Sequence, residues 1–183
     1  MNKFLTGIRA MLICAVASFG MAGVAAAADA KALEQEAKAA LTSLYTGSPG
    51  AKALGEKAKG IVVFPNVVKA GLVVGAQSGD GVLLVADKAV AVYNTSAVSV
   101  GVQAGAQSFG YGLFFMTDKA LKEFRASKNF QIGVGPSVVF IDAGAAKDIN
   151  TLTTKADVYG ITFDQKGLMA GVGLQGSKIT LKK

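Results

Sequence analysis

The sequence predicts an α+β fold: a strongly coiled antiparallel β-sheet that closes into a small barrel-like core, with about three helices packed outside it. Three observations support this prediction. Apolar residues recur at helical spacing after residue 30, short apolar segments with strand periodicity follow from residue 61, and glycines within those segments are evenly spaced. Evenly spaced glycines lie on one face of a strand, where missing side chains let a sheet bend sharply. The length of 183 residues is typical of one domain.

The first thirty residues have the layout of a secretory signal peptide. Lys3 and Arg9 precede an uncharged run over residues 10–28 that ends in small residues. We therefore expect residues 1–28 to be a signal peptide cleaved near Ala28, and residues 29–183 to form the single domain of an exported protein. Such a protein would lie in the periplasm or be associated with an outer membrane.

Two other interpretations of this segment are a membrane anchor and lipidation at Cys14, which would make the chain a lipoprotein. Residues 10–28 just reach spanning length, but they are rich in alanine and glycine, which partition weakly into hydrocarbon. Residues 11–13 provide no small residue directly before Cys14. We therefore favour cleavage near Ala28 over both alternatives.

Three helices are predicted from apolar spacing and capping residues. Residues 30–45 carry an apolar stripe with glutamates in the first turns, and a Gly-Ser-Pro-Gly segment follows. Residues 51–59 form a second, short helix that Gly60 would end. Residues 117–127 form the third helix, with Thr117 or Asp118 as its cap.

The remaining apolar segments predict strands. They cover residues 61–64, 67–76, 81–86, 89–93, 98–107, 111–116, 131–142, 156–163, 168–175 and 178–181. Residues 143–155 are polar and weakly patterned, which predicts a long loop with at most one helical turn.

A near-repeat links two of these strand regions. Residues 71–78 (GxxxGAQS) recur as residues 101–108, and each copy is followed by a Gly-x-Gly and an apolar strand. The simplest interpretation is a pair of similar antiparallel hairpins, with residues 79–81 (GDG) as the turn of the first.

The composition argues against most familiar enzyme chemistry. Without histidine there is no Ser-His-Asp machinery and no histidine metal ligand. Gly171-x-Gly173-x-x-Gly176 matches a dinucleotide fingerprint by letter, but too few residues follow it for the required helix. Four aspartates match no metal-loop spacing; they are Asp142, Asp148, Asp157 and Asp164. We therefore expect a protein that is not an enzyme, with no catalytic residue, metal site or cofactor.

Several ordered blocks resemble the SYLF domain family. They are residues 58–65 (AKGIVVFP), 68–72 (VKAGL), 75–81 (GAQSGDG), 115–121 (FMTDKAL) and 166–172 (KGLMAGV), which together extend over the predicted domain. The resemblance implies a non-enzymatic module that binds membrane phospholipids, notably phosphoinositides, and in fungal relatives actin. An exported protein would meet no actin, so we expect an anionic phospholipid or membrane surface as the partner.

The candidate lipid-binding residues are two groups of cations, because several basic side chains acting together can hold a protein at an anionic membrane. They are Lys52, Lys57, Lys59 and Lys69 around the first block, and Lys119, Lys122, Arg125 and Lys128 along the third helix. Nucleic acid is not expected, since Arg125 is the one arginine after the predicted signal peptide. The alternative function is an outer-membrane β-barrel or a structural protein of the envelope, and the oligomeric state stays open.

Overall fold

The structure, a computed structural model, describes residues 14–100, 105–134, 136–148, 156–167, 174 and 176–182. Its helices are α1 (Cys14–Gly47), α2 (Pro49–Lys57) and α3 (Asp118–Ala126), with a short 3₁₀ helix at Ala145–Asp148. Its strands are β1 (Gly60–Gly71), β2 (Val74–Val85), β3 (Lys88–Val100), β4 (Gly105–Phe115), β5 (Asn129–Gln131), β6 (Val138–Asp142), β7 (Val158–Gly167) and β8 (Lys178–Leu181).

The strands form one eight-stranded sheet in the order β5-β8-β3-β2-β1-β4-β7-β6. The described pairs are antiparallel except β6–β7, which is parallel. The sheet curls into a half-barrel with three helices against it, so the predicted α+β class is confirmed.

One hydrogen bond shows how strongly the sheet curls. The Tyr111 hydroxyl on β4 donates to Thr95 Oγ1 on β3 at 2.7 Å, although β1 and β2 lie between these strands. On a flat sheet, three strand spacings would separate the two backbones by about 14 Å. The side chains therefore meet across the concave face of a bent sheet.

The helices divide between the two faces of the sheet. On the convex face, α1 and α2 pack over Ile61, Val63 and other buried residues. On the concave face, α3 packs over a second cluster that contains five phenylalanines and two tyrosines. Full burial of one large apolar side chain is worth about 1.5–3 kcal/mol, so both clusters stabilise the curled sheet.

The ends of the helices follow local capping rules. The Ser48 hydroxyl accepts a hydrogen bond from the Ala51 amide at 3.3 Å and begins α2, with proline at its first position. Thr117 caps α3 in the same way, as predicted, through the Ala120 amide at 3.2 Å. The prediction that Gly60 ends α2 is wrong. The helix ends at Lys57, and Gly60 is the first residue of β1.

Helix α1 begins before the predicted residue 30 and continues without a break through Ala28. The first 13 residues of the predicted signal peptide lie outside the described residues. Within the described chain, no helix is both long enough and apolar enough to cross a membrane.

The predicted turn at residues 79–81 is wrong, because these residues lie inside β2. The chain reverses instead at residues 72–73 and 86–87. Gly79 is required by the bulge of β1 opposite it: a Cβ at this position would lie 2.6 Å from the Asn66 carbonyl oxygen and 3.0 Å from Val67 Cα. Glycine marks close approach of two backbones here, not a turn.

The prediction that the two copies of the repeat form similar hairpins is wrong. Both pair with β1, one on each side, in the same register: Ala70 lies opposite Ala76 and Ala106, and Lys69 lies opposite Gln77 and Gln107. The repeated sequence thus places one strand between two near-identical neighbours.

Other strand boundaries also differ from the predictions. The predicted segments 61–64 and 67–76 merge into β1 and the start of β2. The predicted segment 89–93 and the first residues of 98–107 form β3, whereas residues 105–107 begin β4. The predicted strand 131–142 is interrupted by a turn in which Gly133 has a φ of +93°. The predicted helical turn in 143–155 is confirmed at Ala145–Asp148, while residues 149–155 lie outside the described chain. Most of predicted strand 168–175 also lies outside it.

Substitution of Gly81 by alanine tests the close packing of β2 on β1. The new Cβ would contact the Phe64 ring and lie 2.6 Å from the Val63 carbonyl oxygen. We expect the free energy of unfolding to fall by about 1–3 kcal/mol in urea titrations, because the buried backbone must shift. Gly47→Ala is the control, since its Cβ would meet nothing within 4 Å. Equal midpoints for the two variants would contradict this account.

Candidate functional site

Seven of the eight predicted cations are exposed to solvent. Lys52 and Lys57 lie on α2, and Lys59 lies between α2 and β1. The other four form a cationic ridge, the name used below for Lys119, Lys122, Arg125 and Lys128 along and just after α3.

The cationic ridge is exposed because the opposite side of α3 is buried. Phe124 lies 4.8 Å, ring centre to ring centre, from both Phe115 and Tyr93. Burial raises the pKa of Tyr93, and the positive charge of Arg125 acts in the opposite direction. Lys119 Nζ lies 3.9 Å from Glu123 Oε1, a solvent-exposed pair that leaves the lysine largely available.

The structure does not bring the eight cations into one surface. The cations of α2 and the ridge both lie near the end of the sheet where Gly60 pairs with Phe115, but α2 and α3 pack on opposite faces. Lys69 lies ten residues beyond Lys59 on the extended β1, about 30 Å away at the usual rise per residue.

The other end of β1 carries an exposed apolar surface. Leu72, Val73 and Val74 at the β1–β2 turn are 72%, 66% and 59% exposed. We call these three residues, together with the exposed Val68 and Val98, the hairpin tip. Sequence reasoning missed its centre because residues 72 and 73 were assigned to the interior of a strand.

Two other apolar segments lie along β1 and β4, at residues 67–68 and residues 108–111. Val67, Phe109 and Tyr111 are buried in the core of the concave face. Val68 points outward and belongs to the hairpin tip.

A row of polar side chains faces the concave side below the hairpin tip. Lys69, Gln77 and Gln107 lie directly opposite one another on β1, β2 and β4, and they are 9%, 4% and 4% exposed. We call these three residues the polar row. Gln77 Nε2 donates to Ser177 Oγ at 2.9 Å, whereas Gln107 Oε1 is buried and has no hydrogen-bond partner among the residues that the structure describes. The structure thus buries one of the predicted lipid-binding lysines.

Deeper in the concave core, beyond Val67 and Phe109, the Tyr111 hydroxyl is paired with Thr95. The Tyr111 ring stacks on Phe64 with ring centres 4.7 Å apart. Burial raises the pKa of Tyr111, and the hydrogen bond to Thr95 acts in the opposite direction. This pair satisfies two hydroxyl groups that the curled sheet removes from water.

Acidic side chains form no metal site within the described ranges. Asp80 instead accepts hydrogen bonds from Lys182 Nζ at 2.7 Å and Asn94 Nδ2 at 2.8 Å. Burial opposes ionisation of this carboxyl, but the two hydrogen bonds hold its pKa below the ordinary value. The group links the last strand to β2 and β3.

The described chain thus combines a curled sheet with an apolar tip, a buried polar row and exposed cations. Residues 96–183 match the sequence model of a family described as Ysc84: Las17-binding protein actin regulator. The match confirms the resemblance to the SYLF family over this part of the chain. At the level of the family, the match supports a lipid- or actin-binding module, and the family is not a known enzyme family.

The first three blocks of the resemblance, between residues 58 and 81, precede the matched segment. A comparison with curated proteins found no match for the chain.

Tyr111→Phe tests the buried hydroxyl pair. The substitution leaves the Thr95 hydroxyl without its partner on the concave face, and we expect the free energy of unfolding to fall by about 1–3 kcal/mol. Tyr45→Phe is the control, because the Tyr45 hydroxyl has no hydrogen-bond partner among the described residues. Urea unfolding followed by circular dichroism measures both, and a Tyr111→Phe protein as stable as the control would refute the assignment.

Proposed function

We propose that the protein binds the surface of an anionic phospholipid bilayer as a non-enzymatic module of an exported envelope protein. The observation that carries the proposal is the hairpin tip, in which five large apolar side chains are exposed at one end of the sheet. Contiguous exposed apolar surface is typical of a membrane or protein interaction site. The family match supports lipid as the partner.

The hairpin tip suits shallow insertion into a bilayer. Removal of Leu72 and Val73 from water is worth about 1.5–3 kcal/mol for each fully buried side chain. The backbone of the turn carries polar groups that need water or head groups as partners, so the tip would stop at interfacial depth. Two or three such side chains give reversible binding of the kind expected for a peripheral protein.

The cations would add long-range attraction. Each lysine close to an anionic leaflet contributes about 1 kcal/mol, and the effect fades within a Debye length of about 8 Å at physiological salt. The cationic ridge and the hairpin tip lie at opposite ends of the 12-residue β1, about 35 Å apart. A flat bilayer would therefore contact one of these two surfaces and not both at once.

Vesicle co-sedimentation tests the proposal. We expect the protein to pellet with vesicles that contain phosphatidylglycerol or a phosphoinositide, and to bind phosphatidylcholine vesicles more weakly. The chain after residue 28 keeps 17 basic and 12 acidic residues, a net charge of +5. A comparison of the two anionic lipids shows whether the phosphoinositide preference implied by the family applies. Folded protein that stays in the supernatant with every anionic vesicle at low salt would overturn the proposal.

Paired variants identify the face that meets the bilayer. We expect Leu72→Ser with Val73→Ser to weaken vesicle binding about tenfold or more, at low and at high salt, through lost apolar burial. Val90→Ser with Val139→Ser is the control, because these two side chains are exposed away from the tip. Equal binding by both double variants would exclude the tip.

The cationic ridge has its own pair of variants. Replacement of Lys119, Lys122 and Lys128 by glutamine should weaken binding chiefly at low salt, since charge attraction is screened. The control changes the same number of exposed charges elsewhere, at Lys31, Lys88 and Lys178. A larger loss for the ridge than for the tip would assign the membrane-facing surface to α3.

Export is part of the same proposal. Cleavage after Ala28 would make Asp29 the first residue of the secreted protein, and mass spectrometry of protein recovered from the cell envelope measures this directly. A recovered chain that still contains Lys3 would refute cleavage, and a mass increase on Cys14 would show lipidation instead.

A further inference from the structure

The polar row places three long polar side chains where apolar side chains would stabilise the sheet equally well. Lys69 lies between two glutamines contributed by the repeated sequence, and directly opposite residues on antiparallel strands have Cα atoms about 4.5–5.5 Å apart. Three long polar side chains on the concave face thus converge over β1. Apolar residues at these positions would extend the hydrophobic cluster that begins at Val67 and Phe109.

Two members of the polar row, Lys69 and Gln107, carry a polar atom without a partner among the described residues. Within the described part of the chain, Lys69 has no ion pair and no hydrogen bond, although its side chain is mostly buried. Gln107 Oε1 is buried and also unpaired. Buried polar groups are nearly always satisfied in native proteins, so the unpaired Gln107 oxygen, beside an ammonium group that makes no ion pair in the described chain, points to a group that binds there.

The chemistry of the row defines that group. The Lys69 ammonium favours an anion, the Gln107 oxygen accepts from a hydroxyl or ammonium group, and Gln77 Nε2 has a second hydrogen to donate. We propose that the polar row binds a phosphate ester that carries a free hydroxyl or amino group, as the head group of a phospholipid does. Lys69 would hold the phosphate, and Gln107 would accept from the polar substituent.

The position of the row fits a ligand that arrives from a membrane. Gly71, Gly75 and Gly105 form the next layer toward the hairpin tip and add no side chains above the row. Lys69 lies two residues, about 7 Å, from the turn that bears the tip. A bilayer that holds the tip would present its head groups at this end of the sheet, so the lipid-bound form of the site rests on the proposed function.

Side-chain amide resonances of Gln77 and Gln107 report binding at the row directly. The probes are sn-glycerol 3-phosphate, inorganic phosphate and phosphatidylglycerol vesicles. We expect glycerol phosphate to shift both resonances, and inorganic phosphate to bind more weakly because it offers less to Gln107. Lys69→Met should weaken the glycerol phosphate complex about tenfold or more, through loss of a charged hydrogen bond.

Gln107→Glu provides a second variant in case Lys69→Met does not fold. The new carboxylate would pair with Lys69 and repel the phosphate, so binding should be lost while the fold remains. The matched controls are Lys178→Met and Gln131→Glu, which alter an exposed Lys–Gln pair on β8 and β5. Folding of each variant is checked by its amide spectrum.

The outcomes separate this inference from the proposed function. Vesicle binding that depends on the tip but shifts neither glutamine overturns the phosphate site alone. If glycerol phosphate binds and needs Lys69 but the protein does not bind vesicles, the phosphate site is supported and the proposed binding to a bilayer is overturned. Shifts confined to the cationic ridge, or equal losses in the variants and their controls, overturn the site.

Discussion

The close approach of β2 to the bulge of β1 is the constraint on which the structure depends. At the bulge, Gly79 and Gly81 face the Asn66 carbonyl and the Phe64 ring at distances that admit no side chain. A bulge increases the local twist of a strand, and glycines on the concave side let the neighbouring strand follow it. The resulting curl brings Tyr111 within hydrogen-bond distance of Thr95 and makes one sheet serve two separate cores.

The two ends of β1 differ in the side chains that surround them. At its first residues, both faces are covered by helices and the surface is cationic. At its last residues, the outward side chains are apolar and the inward side chains are polar. The buried clusters that stabilise the fold thus lie toward the first residues of β1, and the exposed hairpin tip lies at its last residues. It also explains why Lys69, which the sequence groups with Lys59, has a different environment from every other candidate cation.

Features set by neighbouring residues could be predicted from the sequence, and those set by strand pairing could not. Helix α3 follows from Thr117 and its apolar stripe, and the curled sheet follows from the glycine spacing. The turn at Leu72 was missed because its apolar residues match the pattern of a strand interior, although they are exposed. The polar row was missed for another reason. The GAQS repeat is visible in the sequence, but its function as a pair of neighbours to β1 depends on contacts distant along the chain.

The repeat on either side of β1 also bears on the order of folding. Gly71 pairs with Gly75 four residues away and with Gly105 34 residues away, through nearly the same side chains. Loop-closure entropy alone favours the shorter connection by about 2 kcal/mol. The β1–β2 hairpin would therefore form first and offer its free edge as a template for the second GAQS segment. In the folded sheet, each edge of β1 is then paired with one GAQS segment.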